Sequence, residues 1–259
     1  MIDLHTHLLP GLDDGPSTLE ESVALAKAMV AGGTTSAVAT PHVSSRYPTS
    51  RADIAPAAAR LREALVAAGV GLDVREGAEV ELVRTRDLSD EQLRELRLGG
   101  RRSILVEPPH SRAAGNPVAE IEGLLSRGHH VLLAHVERCP ALRRSPEGVR
   151  RLVGAGVLVS ITAASLTGGF GSQAQQFARW LVRERLVHDI ASDAHDLEGR
   201  PPAMSEELEA AAVEFRPLRS QAGWLTGPAP AAILAGAALP PRPPGGIYHA
   251  ARRILRSSP

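Results

Sequence analysis

Short runs of Val, Ile, Leu and Ala alternate along the chain with longer stretches rich in Ala, Leu and Arg. The runs at 1–5, 35–40, 72–79, 102–107, 130–135, 157–162 and 187–193 are of strand length, and each is followed by a segment long enough for a helix. Those segments, 18–31, 52–68, 89–97, 117–128, 146–155, 173–185 and 205–214, predict helices. Ser17 or Thr18 ahead of Glu20 and Glu21 gives the first helix a start, because a hydroxyl and a carboxylate satisfy the free N–H groups of a first turn. Gly32-Gly33 stops it. Repeated strand-then-helix units predict parallel strands joined by crossover helices, an α/β architecture.

Polar residues collect where the apolar runs end. His5 and His7 close the first run, His42 follows the second, Glu79 closes the third and Glu107 the fourth. His135 closes the fifth, and Asp193 and His195 close the last. Pro10-Gly11 and Asp13-Asp14-Gly15 mark a loop directly behind the first strand. Ser103-Ile104-Leu105-Val106 and Val131-Leu132-Leu133-Ala134 read as buried, so Glu107 and His135 end strands that lie in the interior. A buried carboxylate or imidazole needs a partner, and a metal ion supplies one. Parallel strands closed into a barrel bring their C-terminal ends to one mouth, so these residues are expected around a single centre. His5 and His7, separated by one residue, point the same way from a strand end and can share an ion.

Composition narrows the class. A length of 259 residues suits one α/β domain, and 43% hydrophobic with only 3% aromatic content predicts a core of Leu, Val and Ala. Lys+Arg and Asp+Glu are equal at 29 each, so no global field recruits nucleic acid, and no nucleic-acid partner is expected. No run is long and apolar enough to predict a membrane span, and the N-terminus lacks the pattern of a secretory signal. With a single cysteine, Cys139, the chain reads as cytoplasmic. Cys139 is not the nucleophile of a thiolate phosphatase, which carries an arginine six positions on, where this chain has Ser145. It reads as a semi-buried residue beside Pro140. His129, His130 and His249 read as surface residues, His188 as packed and His110 as a loop position.

The segments Met1-Ile2-Asp3-Leu4-His5-Thr6-His7, Gly11-Leu12-Asp13-Asp14-Gly15, Thr40-Pro41-His42, Gly77-Ala78-Glu79, Ala134-His135-Val136-Glu137-Arg138 and Ala191-Ser192-Asp193-Ala194-His195 occur in this order. In this they resemble the polymerase-and-histidinol-phosphatase (PHP) superfamily. More narrowly, the chain is similar to the bacterial manganese-dependent tyrosine-protein phosphatases of capsular and exopolysaccharide loci. The resemblance extends to about residue 235, where Gly227-Pro228-Ala229-Pro230 with Ile233-Leu234 looks like the family's closing helix.

The resemblance implies a distorted (β/α)7 TIM-like barrel of the PHP type over 1–238, holding three divalent ions, manganese first, with Fe, Zn or Mg as alternatives. His5, His7, Glu79 and Asp193 would hold one ion. Glu79, shared, would hold the second with Glu107 and His135, and Asp14, His42 and His195 the third. Asp13 stands as an alternative to Asp14. Arg138 and Arg200 would be the substrate-side arginines, and His42 or His195 a proton donor to the leaving group. The implied activity is hydrolysis of phosphotyrosine on a protein, a bacterial tyrosine kinase of polysaccharide synthesis, by a metal-activated water. The donor set itself, imidazole and carboxylate without thiolate, favours hard to borderline divalent ions.

Two other activities compete: a PHP phosphatase of small phosphomonoesters such as histidinol phosphate, and an amidohydrolase-like or DNase hydrolase. The latter also begins with His-x-His but is not expected to combine His42, Glu107 and Asp193-x-His195. A metal-binding scaffold without catalysis would be expected to have lost ligands. The chain departs from the family at Pro108-Pro109-His110, where an aromatic residue usually follows the glutamate, and at Ser44-Ser45-Arg46-Tyr47. Residues 239–259 read as a Pro-rich linker followed by a basic tail.

Overall fold

Among the described residues the apolar runs form nine strands rather than seven, because two of them continue past a break as a second short strand. In a computed structural model that describes residues 1–111 and 115–244, these are β1 (Ile2–Thr6), β2 (Ser36–Ala39), β3 (His42–Val43), β4 (Asp73–Glu76), β5 (Glu79–Glu81), β6 (Ser103–Glu107), β7 (His130–Leu133), β8 (Leu158–Thr162) and β9 (Asp189–Ala191). Every ladder between them is parallel.

β1, β2 and β4 make a three-stranded sheet, and β3, β5, β6, β7, β8 and β9 follow one another in a six-stranded one. The breaks have local causes. Pro41 has no N–H to give the ladder between β2 and β3. Between β4 and β5, Gly77 packs so closely that a Cβ there would stand 2.8 Å from Leu98 Cδ2 and 2.9 Å from Val38 Cγ1. Backbone bonds bridge both gaps, Gly77 N–H to Ala39 O at 3.0 Å and Glu79 N–H to Pro41 O at 3.1 Å. Beyond β9 the chain returns to β1, where Asp193 N–H donates to His5 O at 3.0 Å and His7 N–H to Ala194 O at 2.9 Å. The architecture is a mixed α/β fold with parallel sheets, without one uninterrupted closed ladder among the described residues.

Both faces of the central strands β6, β7 and β8 are buried, as crossover connections require, whereas β4 exposes Asp73 and Arg75. Along β6, Ile104 and Val106 join one apolar cluster and Leu105 another; along β7, Val131 and Leu133 split from Leu132 in the same way. The larger cluster includes Leu25 and Met29 of helix Leu19–Ala31 and Ile54, Leu61 and Leu65 of helix Arg51–Ala67. The smaller joins Leu4, Val38, Leu105 and Leu132 to Leu98 and Ile233, the last on helix Pro228–Ala235. Thr18 caps the first helix in a reciprocal capping box with Glu21. No helix among the described residues is long and apolar enough to cross a membrane. Of the 239–259 segment, Arg242 lies 4.7 Å over the Trp224 ring and donates to Arg185 O and Val187 O. The basic tail read at 247–256, with His249, lies outside the described residues.

Candidate metal centre

The polar residues at the strand ends converge. The Nε2 atoms of His5 and His7 face each other at 3.2 Å. Glu79 Oε2 stands 3.1 Å from His5 Nε2, 3.5 Å from His7 Nε2 and 3.1 Å from His42 Nδ1, while its Oε1 is 2.8 Å from His135 Nε2. Asp193 Oδ1 lies 3.4 Å from His5 Nε2 and 3.5 Å from His7 Nε2. Glu107 comes within 3.8 Å of His42 and 4.0 Å of His135. Asp14 Oδ1 is 3.5 Å from the Nε2 of both His42 and His195. Five donor groups have ligand atoms within 4.8 Å of one another: His5–His7–Asp193, His5–Glu79–His135, His7–Asp14–His42–His195, His42–Glu79–Glu107 and Glu107–His110–His135.

Backbone geometry aims these side chains. His135 and Asp193 each follow a strand with positive φ, 26° and 55°. For a non-glycine residue that conformation costs about 1–3 kcal/mol and persists only where the surroundings enforce it. At Asp193 the enforcement is its N–H bond to His5 O, and at His135 it is the tight turn closed by Arg138 N–H to His135 O at 2.8 Å.

The two adjacent carboxylates of the first loop part company here. Asp14 faces His42 and His195, whereas Asp13 Oδ2 is 2.6 Å from His7 Nδ1 and accepts from His42 N–H at 2.9 Å. Asp13 Oδ1 accepts from Gly15 N–H at 3.0 Å. A Cβ on Gly15 would come 2.5 Å from His7 O, so only glycine lets the loop close this tightly. Asp13 therefore fixes the ring and tautomer of His7. Asp13→Ala is expected to weaken metal binding by about 10- to 100-fold, the usual loss for such a supporting carboxylate. Chelator competition on the purified variant measures this.

The electrostatics suit divalent cations. Glu79 and Asp193 are buried, 0% and 2% exposed, and Glu79 Oε2 and Asp193 Oδ1 have no hydrogen-bond partner. Burial alone would push both carboxyls up, but His5 and the other imidazoles around them hold both well below the usual carboxylate range. Burial likewise opposes the charge on His5 and His7, yet Glu79, Asp193 and Asp13 raise them above the ordinary imidazole value. Burial and then Arg138 bring His135 down to about 4, which leaves it neutral and free to donate a lone pair. Clustered ionised carboxylates, two of their oxygens unpartnered, amid facing imidazole nitrogens, are satisfied better by cations than by any arrangement of protons.

Protons and metal compete for His5 and His7. Below their raised pKa each imidazole must lose its proton to bind, and above it none is displaced, so affinity falls as pH falls. Calorimetry at pH 7 is expected to show proton release as a binding enthalpy that changes with the buffer's ionisation enthalpy; equal enthalpies in all buffers would contradict this.

Arg138 and Arg200 border the same group. Arg138 Nη1 is 2.5 Å from Asp193 Oδ2, and Arg200 Nη2 donates to that same oxygen. Arg200 Nη1 is 2.8 Å from His195 Nε2. The Arg138 guanidinium lies 4.4 Å over Phe170, and Phe170, Asp193 and Arg200 line a cavity of about 200 Å³. The Tyr47 ring stacks near-parallel on His42, ring centroids 5.8 Å apart.

Other sequence readings divide. Cys139 is fully buried, and burial pushes its thiol up, the reverse of what a nucleophile needs. His129, expected at the surface, is buried, with Asp90 Oδ1 2.9 Å from its Nε2. His130 is exposed and His188 packs against β8, its Nδ1 accepting from Val159 N–H. His110, read as a plain loop residue, reaches Glu107 Oε1 at 3.0 Å.

Known proteins share this arrangement's fold and much of its sequence. The tyrosine-protein phosphatase YwqE of Bacillus subtilis is 34% identical over 218 residues, covering 83% of this chain and 85% of YwqE. The tyrosine-protein phosphatase CpsB of Streptococcus pneumoniae is 28% identical over 83% of this chain and 91% of its own. Crystal structures of YwqE and CpsB, described as unique metal-dependent tyrosine phosphatases, include a chain that superposes with a TM-score of 0.80 at 32% identity, covering 94% of this chain and 99% of that one. An organophosphorus hydrolase from Deinococcus radiodurans shares the fold alone, at TM-score 0.58 and 16% identity, over 90% of this chain and 92% of its own. Residues 1–216 match the capsular polysaccharide synthesis family CpsB/CapC, and the chain belongs to that family.

Proposed function

We propose that this chain is a metal-dependent protein-tyrosine phosphatase, a phosphoric monoester hydrolase that acts on phosphotyrosine in a protein. The observation that carries the reading is the meeting, at Asp193, of imidazole and carboxylate donor groups with two guanidinium groups. Donor groups of that kind recur in many metal hydrolases; the guanidinium pair is what a phosphate dianion adds. The two relatives named above carry the same activity in their names.

In this reading residues 1–238 are a distorted (β/α)7 barrel, supported by the sequential strand order and the return of the chain beyond β9 to β1. Residues 239–259 are an appendage to it. His5, His7, Glu79 and Asp193 would hold one ion, Glu79, Glu107 and His135 a second, and Asp14, His42 and His195 a third. Manganese is our choice of native ion, since an all-nitrogen-and-oxygen set suits it. Ions held there would supply a water of lowered pKa and offset charge on phosphoryl oxygens.

The chain's own residues supply the rest. Arg138 and Arg200 share one carboxylate oxygen and can turn their remaining N–H groups to a phosphate, holding it in a fixed orientation. Phe170 and Tyr47 offer apolar walls for an aromatic ring, which a small polar ester does not need. His42 or His195, where not committed to the third ion, is the proton donor to the leaving phenolate. No side chain needs to act as a nucleophile, in keeping with the buried, protonated Cys139. A bacterial tyrosine kinase of polysaccharide synthesis is the substrate we propose, and the cytoplasm the compartment.

The test is an assay of the manganese-loaded protein on a phosphotyrosine peptide, histidinol phosphate and an aryl phosphate. The account predicts hydrolysis of the phosphopeptide above the other two. Histidinol phosphate preferred over the phosphopeptide would move the assignment to small phosphomonoesters, and no hydrolysis of any would end it.

A further inference from the structure

His110 sits outside the set of strand-end ligands, yet its geometry is that of a donor. Its Nε2 lies 3.0 Å from Glu107 Oε1, its ring stands 5.1 Å from that of His135, and the three residues offer ligand atoms within 4.8 Å of one another. Donors bound to one ion at about 2.0–2.2 Å are themselves about 3.0–3.5 Å apart, so the Glu107–His110 spacing is that of neighbours in one coordination sphere. Glu107–His135, at 4.0 Å, is slightly wider.

The placement follows from the chain. Glu107 ends β6, and Pro108-Pro109 come next. Each proline fixes its φ near −65°, and a residue before proline is confined to extended backbone. The turn that brings His110 back to Glu107 is therefore largely set before any ligand arrives, which lowers the entropy lost on ordering it. His135 is buried, while the His110 side chain is 41% exposed. The imidazole thus stands beside His135 on the solvent-exposed edge of the centre.

We propose that His110 is a further protein ligand to the ion held by Glu79, Glu107 and His135, closing that position on its solvent side. The inference rests on the metal reading above and adds a residue to it. A ligand there raises the protein ligands of that ion from three to four and leaves one position fewer on it for water.

The experiment uses the full chain loaded with Co²⁺, as wild type, His110→Ala, His110→Gln and Glu79→Ala. Stepwise affinities come from chelator competition, and the ligand field from the visible absorption of the bound Co²⁺. Both His110 variants are expected to bind one ion of the set about tenfold or more weakly and to shift its absorption. Glutamine keeps an N–H for Glu107 but is a poor ligand, so it should not rescue. Wild-type affinity and spectrum in His110→Gln with loss in His110→Ala would assign a hydrogen bond and overturn ligation, as would two unchanged variants. Failure of the underlying reading looks different: wild type takes up no Co²⁺, or Glu79→Ala keeps all of it.

Discussion

Glu79→Ala is expected to lose metal from two positions at once and to lower the rate of phosphotyrosine hydrolysis about 1000-fold or more, since even one missing electrostatic anchor at an active site costs about 100- to 1000-fold. The reason is the number of groups that depend on this side chain. Its two oxygens lie against His5, His7, His42 and His135, each within 3.5 Å, and it is wholly buried. Alanine removes the anion around which those imidazoles are arranged and leaves no water-exposed group to replace it. Removing one partner of a buried ion pair costs about 3–5 kcal/mol, so the metal-free variant should also unfold at lower denaturant. Glu79→Gln preserves the volume and separates the effects: stability should recover in part, while metal content and rate should not. Elemental analysis and a denaturant titration on the same preparations read both. A variant with full metal content and full rate would remove Glu79 from the centre.

The second large effect concerns Arg138 and Arg200. Hydrogen bonds to charged groups contribute about 1.5–3 kcal/mol each. At 1.4 kcal/mol per decade, Arg138→Ala and Arg200→Ala should each lower kcat/KM by about 10- to 150-fold. Metal content should stay at the wild-type level, since a guanidinium offers no lone pair to a metal and both arginines only donate to Asp193 and His195. Because both are proposed to hold one phosphoryl group, the double variant should lose less than the product of the single losses. Lysine should restore little: a point charge lacks the planar fork that pairs with two oxygens. Loss of metal in either alanine variant would show these residues to be structural supports of Asp193 instead.

Much of this architecture was legible in the sequence because it is written in local signals. Apolar runs of strand length alternate with helix-length segments, and the polar residues that end them lie at strand ends in the fold, although His42 and Glu79, expected to follow and to close strands, open the short strands β3 and β5. Where the reading fell short, the deciding contact is distant in sequence or finer than the pattern. The break at Gly77 is imposed by Leu98 and Val38, neither of which is a neighbour in sequence. Asp13 and Asp14 are chemically identical, and only the turn at Gly15 sends one to His7 and the other toward His42 and His195. His129 looked like a turn residue because its partner, Asp90, lies at the start of another helix. At His110 the signal was present in Pro108-Pro109, which fixes the path of a loop without naming its destination.

The most direct test of the central claim is to follow metal content and phosphotyrosine-peptide hydrolysis on one sample, stripped by chelator and then titrated with Mn²⁺. The account predicts no turnover in the stripped protein and a rate that rises with bound manganese to a plateau near three ions per chain. Full activity in the stripped protein, or a fully loaded protein that leaves the phosphopeptide intact, would contradict it.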